Sequence, residues 1–237
     1  MCFHISDIVQ RNRETIARAM RERWNLGTLG RGLADVCREC SSFVEFEWVP
    51  QRAPKNILAM CATALRGSRE SEDQNAADIL ELAIVESKYI NDPDDNGEEF
   101  YQLAQTIIHR NPGLGAAYRS YATAAPDPFE GLRAANRGLR CADVTPAIRR
   151  DLLYLAVRNT MRITLSHCAS YLPCDPTISN RTIVFLQRAL EDACSFLNEA
   201  PLDHNAMMEM VNWTIELMVI LRGHDLSELE LHVSINW

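Results

Sequence analysis

Cys37-x-x-Cys40 is the first spacing along the chain that suits chemistry. Two thiols one helical turn apart make half a zinc site or a redox dithiol. Zinc needs more ligands, and no second paired Cys/His cluster follows, which leaves Cys2, His4 and Cys61 as loose candidates. The competing expectation is a pair of buried core thiols. Asp92-x-Asp94-x-Asn96-Gly97 opens like an EF-hand calcium loop between two helices. The closing position of that loop is Leu103, where a bidentate glutamate should complete the cation's shell, and Glu99 stands where an aliphatic residue is usual. Asp92 and Glu98 could hold calcium weakly at the surface; the competing expectation is an acidic helix–helix turn with Glu98 and Glu99 favouring a helix N-terminus. His167-Cys168 pairs a base with a nucleophile, but neighbours on a helix point about 100° apart and cannot serve each other. His109, His204 and His224 lie in no motif, and no HExxH, GxSxG or phosphate-cradling glycine loop occurs. No catalytic residue is assigned, and no cofactor or metal is expected.

One polar pattern points to binding rather than catalysis. Arg150, Tyr154, Arg158 and Arg162 recur at the i, i+4 spacing that places side chains on one helical ridge. Ile148, Leu152, Leu155, Ala156 and Ile163 occupy a different face, expected to be core. Arginine offers fork-like donors to carboxylates and tyrosine adds flat apolar area, so such a ridge suits an acidic peptide or a free C-terminal carboxylate. The plain alternative is a solvated cationic face.

Composition narrows the class. The chain has 237 residues, 47% hydrophobic and 24% charged, enough for a substantial core. A formal net charge of -8 argues against general nucleic-acid binding through phosphate neutralisation. The first residues lack the order of a signal peptide, and a wholly apolar run such as Leu217 to Leu221 is too short to span a membrane. The eight cysteines are then expected to be reduced, in the cytoplasm or nucleus.

The elements that must position these residues read as helices. Ile5 to Trp24 is an amphipathic helix with a basic face, suited to a solvated surface, a membrane surface or an acidic partner. Gly27, Gly30 and Gly32 are expected to punctuate a turn, in a spacing that is neither a dinucleotide fingerprint nor a P-loop. Helices then follow over Leu33 to Trp48 and Asn56 to Arg66, although Phe43 to Val49 alternates like a strand. A polar loop from Gly67 to Asn75 precedes a helix over Ala76 to Ile90, and a turn is expected at Asn91 to Gly97. Asn111-Pro-Gly113 and Pro126-Asp-Pro128 separate the next helices. Thr145-Pro146 opens a long helix reaching Tyr171, with proline at the first helical position. Ile183 to Ala200 is strongly amphipathic. The helix from Asp203 to Leu221 is apolar almost all round, which places it at a core centre or under a partner, a second copy included. The last residues alternate like an unpaired strand.

A repeat runs through the middle. Phe100, Ala104, Ile107 and Ile108 match Gly131, Ala135, Gly138 and Leu139, and match again Ala189, Ala193, Phe196 and Leu197; Pro112 and Pro201 close two of the copies. This spacing resembles the second helix of a tetratricopeptide-type repeat. In the first-helix pattern Tyr118 and Ala122 fit, while Arg119 stands where that family carries glycine or alanine. The resemblance implies an all-α, TPR-like α-solenoid: an irregular stack of antiparallel helix pairs, about nine or ten helices in all. The expected organisation is an N-terminal helical segment over 1–75, a repeat region over 76–223 and a tail over 224–237. The resemblance implies a non-catalytic scaffold binding a protein or peptide in a concave groove, with Arg150, Tyr154 and Arg158 at groove-lining positions. Two alternatives stay open: a small metal- or thiol-dependent enzyme or regulator using Cys37 and Cys40, and a fragment of a longer helical-repeat protein.

Overall fold

The computed structural model describes residues 25–39 and 55–171, with the backbone alone at 55, 56, 90, 91, 165 and 167–171. The basic helix ending at Trp24, Cys2, His4, Cys40, the alternation at Phe43 to Val49, the third repeat copy at Ala189 to Leu197, the apolar helix to Leu221 and the tail lie outside the described residues.

Among the described residues the protein is all-α, with seven helices and no strand. They are α1 (Leu26–Glu39), α2 (Lys55–Arg66), α3 (Ser71–Asn91), α4 (Pro93–Arg110), α5 (Gly115–Ala124), α6 (Pro128–Gly138) and α7 (Pro146–Tyr171). Local chemistry sets the starts. Asp92 accepts the amide of Asp95 ahead of Pro93, Asp127 accepts the amide of Phe129 ahead of Pro128, and Thr145 accepts the amide of Ile148 ahead of Pro146. No helix among the described residues is long and apolar enough to cross a membrane.

Each helix packs on the next, and the odd-numbered ones also meet one another: α1 on α3, α3 on α5, α5 on α7, and α7 on α1. Four helices thus close a ring, with α2, α4 and α6 lying outside in the notches between them. Paired residues show the antiparallel sense. In α3 and α4, Asn75 meets Asn111 and Tyr89 stacks near Phe100, with ring centroids 5.1 Å apart. Residues on both sides of position 75 share one core, from Leu33 and Leu65 through Leu80, Phe100 and Ile107 to Leu152 and Leu155.

The matched positions on α4 and α6 have the same burial. Phe100, Ala104 and Ile107 are buried on α4 and Gly131, Ala135 and Gly138 on α6, while Ile108 and Leu139 are partly buried. Glycine on α6 stands where neighbouring side chains come close. A Cβ at Gly138 would lie 2.8 Å from Leu152 and 2.9 Å from Tyr118.

Three local expectations are corrected. Gly27, Gly30 and Gly32 are not a turn but the first half of α1. At Gly30 the reason is close packing, since a Cβ would lie 2.8 Å from Leu65 and 3.1 Å from Cys61 of α2. The polar stretch after Gly67 is helical from Ser71, with the Gln74 carboxamide donating to the carbonyls of Leu65, Arg66 and Ser68 at the end of α2. The turn at Asn91 to Gly97 shrinks to Asp92, because capping and proline start α4 at once.

Candidate functional site

The ring encloses charge. Arg119 of α5 donates to Glu86 of α3 at 2.9 Å and lies 3.6 Å from Asp151 of α7, and the three side chains are 3%, 2% and 1% exposed. Cys37 of α1 is buried close enough to feel the guanidinium, so every helix of the ring contributes a polar group. Burial works against the charged guanidinium, but Glu86 and Asp151 more than offset it and hold Arg119 above its ordinary range. Glu86 is pushed up by burial, against the pull of Arg119, and further by the negative charge of Asp151. Arg119 is the one charged residue of α5. Its neighbours Ala116, Ala117 and Ala122 are small and buried, and that contrast was the available sequence signal for this centre.

The second feature is the outer surface of the α6–α7 hairpin. Each carboxylate between positions 127 and 166 is engaged within the fold. Asp127 caps α6, Glu130 accepts the Tyr101 hydroxyl at 3.0 Å, Asp143 accepts the Gly115 amide at 2.9 Å, and Asp151 lies at the buried centre. Arg133, Arg137, Arg140 and Arg162 of the same hairpin are exposed, and Arg150 and Arg158 are half-buried. None of these six forms an ion pair with a described residue. The sequence placed Arg150, Tyr154, Arg158 and Arg162 on one ridge, and the structure divides it. Tyr154 is 6% exposed, because α7 is covered by α1, α5 and α6 together. Ile148, Leu152, Leu155, Ala156 and Ile163 are buried as the helical spacing predicts. Arg133, Arg137 and Arg140 were missed, although their i, i+4, i+7 spacing was legible.

Other polar clusters tie helices together. Asp78 of α3, 2% exposed, lies between Arg66 of α2 and Arg110 of α4, and Arg66 also grips Glu81 at 2.7 and 2.9 Å. Tyr101 of α4 and Tyr121 of α5 share a 2.8 Å hydrogen bond beside Glu130. Tyr101 is held above the usual tyrosine range by that bond, then by burial and by Glu130. The Cys37 thiol is buried in the ring, where a ligand has no access from water. Cys61 is likewise buried, and burial pushes its thiol up. Asp92 caps α4, and Asp94 and Asn96 lie in its first turn rather than in a loop folding round a cation. Among the described residues no group of three or more His, Cys, Asp or Glu is placed to hold a metal ion. His109 is exposed at the end of α4, its ring nitrogen 2.9 Å from the Gln105 carbonyl.

No family model matches the chain, and no curated protein or solved structure matches it either.

Proposed function

We propose that the protein is a non-catalytic, helical-repeat interaction scaffold that binds an acidic segment of a partner protein on the arginine-bearing face of the α6–α7 hairpin. The observation that carries this reading is the imbalance on that hairpin. Its carboxylates are engaged by caps, hydroxyls, an amide or the buried centre, while Arg133, Arg137, Arg140 and Arg162 are exposed to water. In a chain of net charge -8 a local cationic face selects for anionic partners by contrast with the rest of the surface. Guanidinium groups on successive turns match carboxylates on an extended peptide, and repeated helix pairs give the rigid platform such recognition needs. Half-buried Arg150 and Arg158 flank the buried Tyr154 and add charge at the edge.

The test is fluorescence anisotropy with a labelled glutamate-rich peptide and, in parallel, an uncharged peptide of equal length. Binding of the acidic peptide at low ionic strength, weakened by salt and lost in Arg133→Glu/Arg137→Glu, supports the proposal. Equal affinity of wild type and double variant refutes it. Tighter binding of an oligonucleotide than of the acidic peptide would move the assignment to phosphate ligands.

A further inference from the structure

The arginine-bearing face of the α6–α7 hairpin is matched in charge by a segment of its own chain. The hairpin over 127–166 carries seven arginines against four acidic residues, and each of those four is engaged within the fold. Residues 172–237 follow α7 in sequence and lie outside the described residues. They hold three arginines against ten acidic residues, a net of -7 out of the chain's -8. Nearly all of the chain's negative surplus therefore follows directly on its cationic hairpin. The acidic residues up to Glu216 share their stretch with Arg181, Arg188 and Arg222. Residues 224–237 carry Asp225, Glu228 and Glu230 and no lysine or arginine, so this stretch has no cation of its own to compete for its carboxylates.

We propose, on the reading of this face as a site for acidic segments, that residues 225–230 bind it within the same chain, Glu228 and Glu230 against Arg133 and Arg137, and that an acidic partner binds by displacing them. The spacing agrees. Arg133 and Arg137 are separated by about 6 Å of helix rise. The alternation of the last residues puts Glu228 and Glu230 on one side of an extended chain, about 7 Å apart. Guanidinium groups one turn apart thus meet carboxylates two residues apart, each pair able to form fork-like hydrogen bonds, and Asp225 adds a third negative charge. The chain is also long enough to return. The 26 residues of α7 rise about 39 Å, and the 53 residues between Tyr171 and Asp225 cover about 80 Å even as helix.

A tethered segment competes strongly even when its own affinity is weak. At an effective concentration on the order of 1 mM, a segment that binds with a Kd of about 0.1 mM occupies the face most of the time and lowers the apparent affinity for a free peptide about tenfold.

The experiment uses the full chain, as wild type and as the variant Asp225→Asn/Glu228→Gln/Glu230→Gln. At low ionic strength the variant should bind the labelled glutamate-rich peptide about tenfold more tightly than wild type, and the difference should shrink as salt is added. Without peptide, the guanidinium Nε–H signals of Arg133 and Arg137 should differ between the two proteins at every protein concentration. That of Arg69, exposed in the connection between α2 and α3, should not. If the triple variant does not fold, Glu228→Gln/Glu230→Gln is measured in the same way. Unchanged Arg133 and Arg137 signals, or equal and measurable peptide affinity in the two proteins, overturn the proposal. Peptide binding that is still lost in Arg133→Glu/Arg137→Glu would then leave the partner-binding reading standing alone. Altered signals with no peptide bound by either protein support the contact within the chain and count against the partner reading. Signals that differ only at high protein concentration assign the segment to a second copy and overturn the contact within one chain.

Discussion

The substitution of glycine by alanine at two helical positions, Gly32 and Gly138, should have opposite signs. Gly32 lies inside α1 and Gly138 closes α6, so alanine gains about 1 kcal/mol of helix propensity at the first site and no more than that at the second. Around Gly32 a new Cβ meets nothing within 4 Å, so the gain should stand. At Gly138 the Cβ would sit 2.8 and 2.9 Å from the Leu152 methyls and 2.9 Å from the Tyr118 Cβ. Leu152 is fully buried on α7 and Tyr118 belongs to α5, so α6 cannot retreat from one without meeting the other. The Tyr118 Cβ is moreover fixed to its backbone. Overpacking of this kind costs about 1–3 kcal/mol, which equals or exceeds the propensity gain. Because the chemical change is identical, the effect on the unfolded chain largely cancels between the two variants. They should therefore differ by about 1–3 kcal/mol, with the melting temperature moving about 2–4 °C for each kcal/mol. Calorimetry of the two variants beside wild type measures this. A destabilised Gly32→Ala would return those glycines to a turn, and a stabilised Gly138→Ala would show that α6 does not pack as closely as described.

Phe100→Ala should cost about 3–5 kcal/mol in denaturant unfolding, since the ring is fully buried between α3 and α4, while Arg162→Ala on the surface should stay within about 0.5 kcal/mol. Asp78→Ala should cost about 1–3 kcal/mol, less than a fully buried pair, because Arg66 and Arg110 retain 22% and 46% exposure and can turn to water. Tyr121→Phe should cost about 0.5–1.5 kcal/mol and shift the alkaline absorbance midpoint of Tyr101 downward, as it removes the hydrogen bond that raises it most. An unchanged Tyr101 midpoint would separate the two hydroxyls.

The sequence by itself determined what local rules control. Proline and its preceding cap set the starts of α6 and α7, and helical periodicity picked out Ile148, Leu152, Leu155 and Ala156 as core. The matched spacing of Phe100, Ala104 and Ile107 with Gly131, Ala135 and Gly138 picked out positions that are all buried. Tertiary structure decided whatever depends on a neighbour distant in sequence. Gly30 reads as a turn residue until α2 is placed against it, and only then does its missing side chain become a packing requirement. Tyr154 reads as part of an exposed ridge because periodicity describes a helix with one wet side, whereas α7 is covered by α1, α5 and α6. Asn159, Thr160 and Thr164 look like surface residues, yet each is buried and donates to the carbonyl one turn back, Asn159 to Leu155 at 2.8 Å. Arg119 stood out only as a charge among small residues. Its partners Glu86 and Asp151 lie on helices that the ring brings together, and desolvation, which depends on all the helices at once, turns those ordinary ionisable groups into a coupled centre.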